Sequence, residues 1–306
     1  MRERPINPSF NGTPTPDVNR SDGVRVAPIT KACIGPVAEF LHANLNQRVA
    51  SEHWAEAIEV PWDVDQANAG FMLVDAGQVV GIQLAFYSER VIQGRRERFC
   101  NLGAWCVLPG YRPHSLRLLR RALDQDDHHF TDLSPSGSVV DINARLGFRF
   151  LDAATVLAPN LPWPGGARGA SISSDPEVIE RTLTGRELKL YRDHARAPAA
   201  RHLVLIRGAD HCYVIFRKER YKRLRAFASV LYVGNSRLYR ELARPLARHL
   251  LFHHGAVATL AEPRVVGHRP RPSFGIKAPR RRMFLSPHLD PRDVDYLYSE
   301  LVCVAW

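Results

Sequence analysis

The stretch Val107-Leu-Pro-Gly-Tyr-Arg-Pro-His-Ser-Leu-Arg-Leu-Leu-Arg-Arg-Ala-Leu123 joins a strand of β-formers, a Pro-Gly turn and a basic amphipathic helix that opens behind a serine. Strand, tight turn and helix N-terminus together suit a phosphate. The first N–H groups of a helix lack intrahelical partners, and the helix dipole favours an anion there. A phosphate loop usually carries several glycines, whereas here Arg112, Pro113, His114 and Ser115 follow the single Gly110. A second chemical signal is basic. Arg217–Arg225 holds six basic residues in nine, and Arg280-Arg281-Arg282 adds three more. Three readings stand for these runs: a phosphate-bearing partner such as RNA held by salt-dependent contacts, attraction to anionic lipid or polysaccharide, or a charged loop that keeps strand edges from pairing. Tyr221 alone is too little for a base-stacking platform, which favours the charged loop.

Other reactive side chains point less far. Five cysteines are scattered with no C-x-x-C pair, so neither a zinc site nor a disulfide framework is expected. His128-His129 has no acidic or thiol partner at ligand spacing, and no metal is expected there. Cys100 and Cys106, six residues apart, would face the same side of a regular strand. A thiol there carries an acyl group only if a neighbour lowers its pKa, so both read as small buried hydrophobes.

The elements that must position these residues follow from composition and periodicity. The chain has 306 residues, 45% of them apolar, which supports a buried core in two ordinary domains. Its net charge of +11 is lopsided: from Arg201 onward there are 20 Lys+Arg against 8 Asp+Glu, and before it 22 against 23. Residues 1–23, rich in Pro, Asn, Ser and Gly and without an apolar core, read as a disordered tail rather than an export signal, and the compartment expected is the cytoplasm. Residues 24–158 read as β-α-α-β-β-β-α-β-α-β, with a hairpin around Asp75-Ala76-Gly77-Gln78 and a helix closed by Gly147. Residues 159–174 read as a linker, and 175–306 as a second unit repeating the order hairpin, strand, long helix, strand. In that unit one helix is expected from Asp175 to about Ala197, a helix bent at Pro245, a strand over 256–267 and a final strand over 297–306. The fold class is α/β, with two mixed sheets flanked by helices.

Three segments then carry a resemblance. GQVVGIQLAFYS, WCVLPGYRPHSLRLLRRAL and INARLGFRFLD resemble the central hairpin, cofactor motif and closing helix-strand of the GNAT superfamily of acyl-CoA-dependent N-acyltransferases. The match covers residues 24–158, and the second unit resembles a degenerate second copy. The resemblance implies acetyl-CoA or acyl-CoA as co-substrate, held by Val107, Tyr111, Arg112, His114, Ser115, Leu116 and Arg117. The family's small residues are replaced here by Ser115 and Arg117. A tyrosine that often serves as general acid is replaced by Asn143, which has no useful proton at neutral pH. A base for the acceptor amine would be Glu89 or Asp132, with Ser134 near the acyl carbonyl. The activity implied is transfer of an acyl group from a thioester to an amine, less readily a hydroxyl, of a small molecule or peptide. The alternatives are a GNAT-like binding protein that has lost catalysis, and a nucleic-acid-binding module using the basic last third.

Overall fold

Alternation of apolar and polar residues builds long strands, and glycines place their turns. Ala76 and Gly77 adopt φ of 47° and 81°, the left-handed pair that a two-residue hairpin needs. The computed structural model describes residues 23–66, 68–164, 169–221 and 224–305, so all but Gly23 of the expected tail lies outside the described residues. In the first half the elements are β1 (Arg25–Pro28), α1 (Ile34–Asn44), α2 (Ser51–Ile58), β2 (Gly70–Asp75), β3 (Gln78–Ile92), β4 (Arg95–Val107), α3 (Ser115–Leu123), β5 (His128–Asp132), α4 (Ser138–Arg145) and β6 (Arg149–Phe150). The chain continues with β7 (Val156–Pro159), β8 (Ala170–Ser173), α5 (Pro176–Thr182), α6 (Gly185–His194), β9 (Ala200–Arg207), β10 (Asp210–Tyr221) and β11 (Leu224–Val233). It ends with α7 (Ser236–Glu241), α8 (Ala243–His254), β12 (Ala258–Ala261), α9 (Pro263–Val266), β13 (Phe274–Gly275), β14 (Met283–Leu285) and α10 (Glu300–Cys303).

Two seven-stranded mixed sheets result, ordered β1-β2-β3-β4-β5-β14-β6 and β8-β9-β10-β11-β12-β7-β13. Their directions match strand for strand. One parallel pair, β4 with β5 or β11 with β12, interrupts otherwise antiparallel neighbours. The first sheet therefore takes its sixth strand from the far end of the chain, β14 lying between β5 and β6, while in the second β7 lies between β12 and β13. Between the sheets lies one shared core that joins α1, α2 and α6 to residues 294–304, with Trp54, Tyr213 and Tyr296 fully buried. The outer face of the first sheet packs on α3 and α4, and that of the second on α7 and α8.

Several sequence expectations need correction. The strand at Val156–Pro159, expected to close the first sheet, lies in the second. β8 is a strand within the stretch read as linker, of which residues 165–168 lie outside the described residues. The helix expected from Asp175 to about Ala197 breaks at Leu183-Thr184, both extended, ahead of Gly185. The break expected at Pro245 falls at Leu242, because a proline in the first turn of α8 lacks the N–H that would continue the helix from Glu241. The strand expected over 256–267 ends at Ala261, where Pro263 opens α9. The final segment, read as a strand from its apolar residues, contains the short helix α10, capped by the Ser299 hydroxyl accepting from the Leu301 N–H.

A bulge on β4 shapes the region next to the site. Gln83 pairs with Trp105 and Ala85 with Leu102, so one extra residue of β4 is inserted opposite Leu84. The Gln83 side chain braces it, donating from Nε2 to the Gly103 carbonyl at 2.7 Å. The bulge also reverses strand parity. Cys100 packs toward α3 and Cys106 toward the shared core, not on one side as regular alternation implied. Burial pushes the Cys100 thiol up to about 12, away from nucleophilic chemistry. Gly70 backs this kink at φ 110°, where an added Cβ would sit 2.2 Å from the Gln83 carbonyl oxygen and 2.8 Å from the Ala85 nitrogen. Both are backbone atoms that cannot step aside. Gly70→Ala is expected to cost at least about 3 kcal/mol, combining a disallowed φ with overpacking, and a shift of the urea midpoint measures it.

Candidate functional site

The parallel pairing of β4 with β5 begins at Arg98–His128 and stops at Asn101–Thr131. Beyond it β4 runs on to Val107 while the other chain turns away after Asp132, so the sheet forks. A cleft of about 430 Å³ fills the fork, with Gly103, Ala104 and Trp105 on one wall and Asp132, Ser134 and Val139 on the other. Leu45 and Arg280 stand at its mouth.

Four polar side chains meet at the cleft's base. Asn143, on α4, donates from Nδ2 to Asp132 Oδ2 at 2.8 Å. The Ser134 hydroxyl donates to Glu300 Oε1 at 2.8 Å. Glu300 is itself fixed from three sides. Its N–H donates to Asn101 Oδ1 at 3.0 Å, and Asn101 in turn donates to Thr131. The buried Arg217 guanidinium donates to the Leu301 and Val304 carbonyls at the other end of α10. Tyr298 N–H donates to Nε2 of the buried His194, which holds the approach to α10. Burial first, and then the neighbouring Glu300 charge, push the Asp132 carboxyl up to about 7, against the opposing Asn143 hydrogen bond. Burial raises the Glu300 carboxyl as well. One oxygen of Glu300, Oε2, is buried without a donor, as is Oδ1 of Asn143. The arrangement can take up a proton near neutral pH and can accept one more N–H or O–H donor.

The structure joins Asp132 and Asn143 but leaves Glu89 elsewhere. Glu89 pairs across the hairpin with Arg98, on the stretch of β4 still bonded to β5, and its half-exposed carboxylate meets that arginine at 3.5 Å. Glu300 was not foreseen, because nothing local marks a residue brought in from 166 positions beyond Ser134.

The loop after β4 is closed rather than cradle-like. A 3-10 helix over Pro109–His114 runs directly into α3, and the Ser115 N–H is taken by the Arg112 carbonyl. His114 is the N-cap of α3 and makes no side-chain cap, so the serine expected to cap the helix does not. Tyr111 donates its hydroxyl to Asp75 at 2.7 Å, Val107 packs toward α3, and Arg117 folds back onto the Val24 carbonyl at 2.9 Å. Arg112 and Leu116 are exposed. The Tyr111 and Ser115 N–H groups are thus taken up within the turn, by the Leu108 and Arg112 carbonyls.

The basic run is also rearranged. Arg217 is buried, Glu219 holds Arg280 at 2.7 Å, and the side chains of 221–225 lie outside the described residues. His129 does gain an acidic partner, contrary to expectation: Glu97 accepts from His129 at 2.9 Å and meets His288 at 3.2 Å, all three supplied by distant segments. Among the described residues no helix is long and apolar enough to cross a membrane.

Strand order, the single parallel pair and its fork can be compared with solved structures. A GCN5-related N-acetyltransferase from Anabaena variabilis superposes with a TM-score of 0.55 at 11% identity, over 85% of this chain and 72% of its own. A putative acetyltransferase from Pyrococcus horikoshii matches with a TM-score of 0.55 at 13% identity, over 95% of this chain and 97% of its own. A third, from Kribbella flavida, matches at 0.53 and 15% identity, over 85% and 70%. The chain has the GNAT fold. No family model and no curated protein matches the sequence. The GNAT fold is thus carried here by geometry at sequence identities that show architecture alone, and the two sheets share one strand order with each other.

Proposed function

We propose that the chain is an acyltransferase that moves an acyl group from acyl-CoA or another acyl thioester to an amine. The observation that carries this reading is the buried Asp132 at the fork, held near neutrality beside Glu300 and lining a cleft wide enough for a thioester arm. The acceptor nitrogen attacks the thioester carbonyl carbon, the carbon–sulfur bond breaks, and the sulfur leaves with the bonding electron pair as a thiolate that takes a proton from solvent. The proton lost by the nitrogen passes to Asp132 Oδ1, the oxygen not engaged by Asn143. Asn143 orients the carboxylate and Glu300, behind Ser134, sets the pH at which it is free to act. With the Tyr111 and Ser115 N–H groups engaged inside the turn, the reactive end of the donor, rather than its nucleotide, is taken as what the cleft recognises. Superposition on acetyltransferases supports the class of reaction, and the acceptor is taken as a small molecule or peptide amine.

The test is thiol release from acetyl-CoA and from acetyl-pantetheine, with an aniline acceptor that stays neutral across the pH range. The expected kcat/KM rises with pH through about 7, where Asp132 ionises, and then levels. The two donors are expected to differ by less than about tenfold, since a lost diphosphate cradle contributes little. No turnover with either donor would overturn the reading in favour of a binding protein on the same fold.

A further inference from the structure

A second cavity lies away from the fork, on the outer face of the second sheet, and its volume is about 600 Å³. One wall is the helical pair α7–α8, which contributes Arg240 and Arg244. The other is the segment after α9, which contributes His268, Arg269 and Arg271. Among the described residues no Asp or Glu lines it. Three other surface arginines of the second half do have acids: Arg207 has Glu241, Arg237 has Asp210, and Arg280 has Glu219. Arg240, Arg269 and Arg271 have no hydrogen-bond or ion-pair partner among the described residues, and Arg244 lies over the Trp163 ring at 5.0 Å. The floor is apolar, with Leu246 and Leu250 of α8. Beside it, Asn160 and Thr259 satisfy each other at 2.9 Å. The last third of the chain carries all the excess positive charge, and this cavity is where part of it converges without compensation.

Four like charges facing one hollow repel one another, and low-dielectric walls focus the resulting field. That arrangement favours a ligand bringing more than one negative charge. Guanidinium forks fit phosphoryl oxygens two at a time, and a phosphoryl group offers three acceptor oxygens. The volume is in the range of small-molecule sites, and the apolar floor suits a body attached to the charged end. We infer that this cavity is a binding site for a small organic phosphate carrying at least two phosphoryl charges, gripped between α8 and the segment 268–272. It shares no lining residue with the fork and does not depend on the acyl-transfer reading.

Calorimetric titration with pyrophosphate, ADP and citrate, in a phosphate-free buffer of low ionic strength, tests the site. Pyrophosphate and ADP are expected to bind with one site each, ADP the tighter because of its apolar body, and citrate at least about tenfold more weakly. The double variant Arg240→Gln/Arg269→Gln is expected to weaken ADP binding by about a hundredfold, one decade for each charge-assisted pair. The control Arg186→Gln/Arg292→Gln removes the same net charge at other surface positions and is expected to leave ADP affinity unchanged. Equal loss in the two double variants would reduce the effect to general charge attraction and overturn the site. Citrate binding as tightly as pyrophosphate would overturn the phosphate class, and no heat with either phosphate would overturn both. Arg240 and Arg269 are solvent-exposed, so melting of the variants is expected to match the parent and to separate lost binding from lost folding.

Discussion

Asp132→Asn is expected to lower acyl transfer by about a hundredfold to ten-thousandfold, the range for loss of a positioned general base. A structural role would move stability in the same direction as activity; here the two are expected to move oppositely. Asp132 is held protonated by the fold up to about 7, so the folded state binds more protons than the unfolded one between the ordinary carboxylate value and that pH. Its contribution to stability therefore falls as pH rises through this window. Asparagine removes that cost, and the variant is expected to melt at or above the parent's temperature at pH 8 while being nearly inactive. Glu300→Gln provides the companion readout. Removing the neighbouring charge takes away one of the causes that raise Asp132, so the rising limb of the pH–rate profile moves to lower pH while the plateau stays within about tenfold. A profile that keeps its midpoint in Glu300→Gln would leave Glu300 as packing only.

Arg282→Met is expected to be the most destabilising single change among the charged residues. The guanidinium is buried, donates to Glu262 Oε1 at 2.9 Å and to the Leu133 carbonyl at 2.7 Å, and lies 4.2 Å from the Tyr296 ring centroid. Glu262, equally buried, also accepts from the Tyr296 hydroxyl. Glu262 follows a strand of the second sheet and Leu133 a strand of the first, so one side chain links both. Removing it strands a buried carboxylate, at about 3–5 kcal/mol. The double variant Arg282→Met/Glu262→Met is expected to recover most of that, because an apolar pair of similar size leaves no unpaired charge. Urea unfolding of the two variants decides the matter. Equal instability of single and double variants would assign the effect to shape instead.

The contrast between Arg282 and its neighbours explains how far the sequence could be read. Arg280-Arg281-Arg282 reads as a solvated basic cluster, yet Arg280 answers Glu219, Arg281 covers the Phe150 ring at 5.4 Å, and Arg282 is inside. Charge runs carry no local signal of burial. Turns do: Gly77 and Gly147, with φ of 81° and 90°, end elements where the residues said they would. The hairpin, the helix after Ser115 and the helix before Leu146-Gly147-Phe148 were legible for that reason. Asp132 and Asn143, candidates that the resemblance suggested, meet because they lie only eleven positions apart around one turn. Glu300 and the insertion of β14 into the first sheet were not legible, since their partners lie beyond any local period. The Ser299-Glu300 pair ahead of an apolar run is an N-cap signature, the one local sign that α10 is a helix.

The distant strand β14 also sets an order in time. During synthesis the first half emerges with β5 and β6 unable to meet, because the strand between them, β14, is still about 130 residues away, a loop whose closure has an entropic cost that rises only slowly with length. The second sheet, built wholly from Val156–Gly275, can form before β14 is made, whereas the first sheet closes last, and non-local pairing of this kind folds slowly. The carboxylate pair at the fork is assembled in that same step, because Asp132 precedes that loop and Glu300 follows it. Chemistry at the cleft is then a property only of chains that have folded throughout, and a partly folded intermediate holds one carboxylate without the neighbour that tunes it.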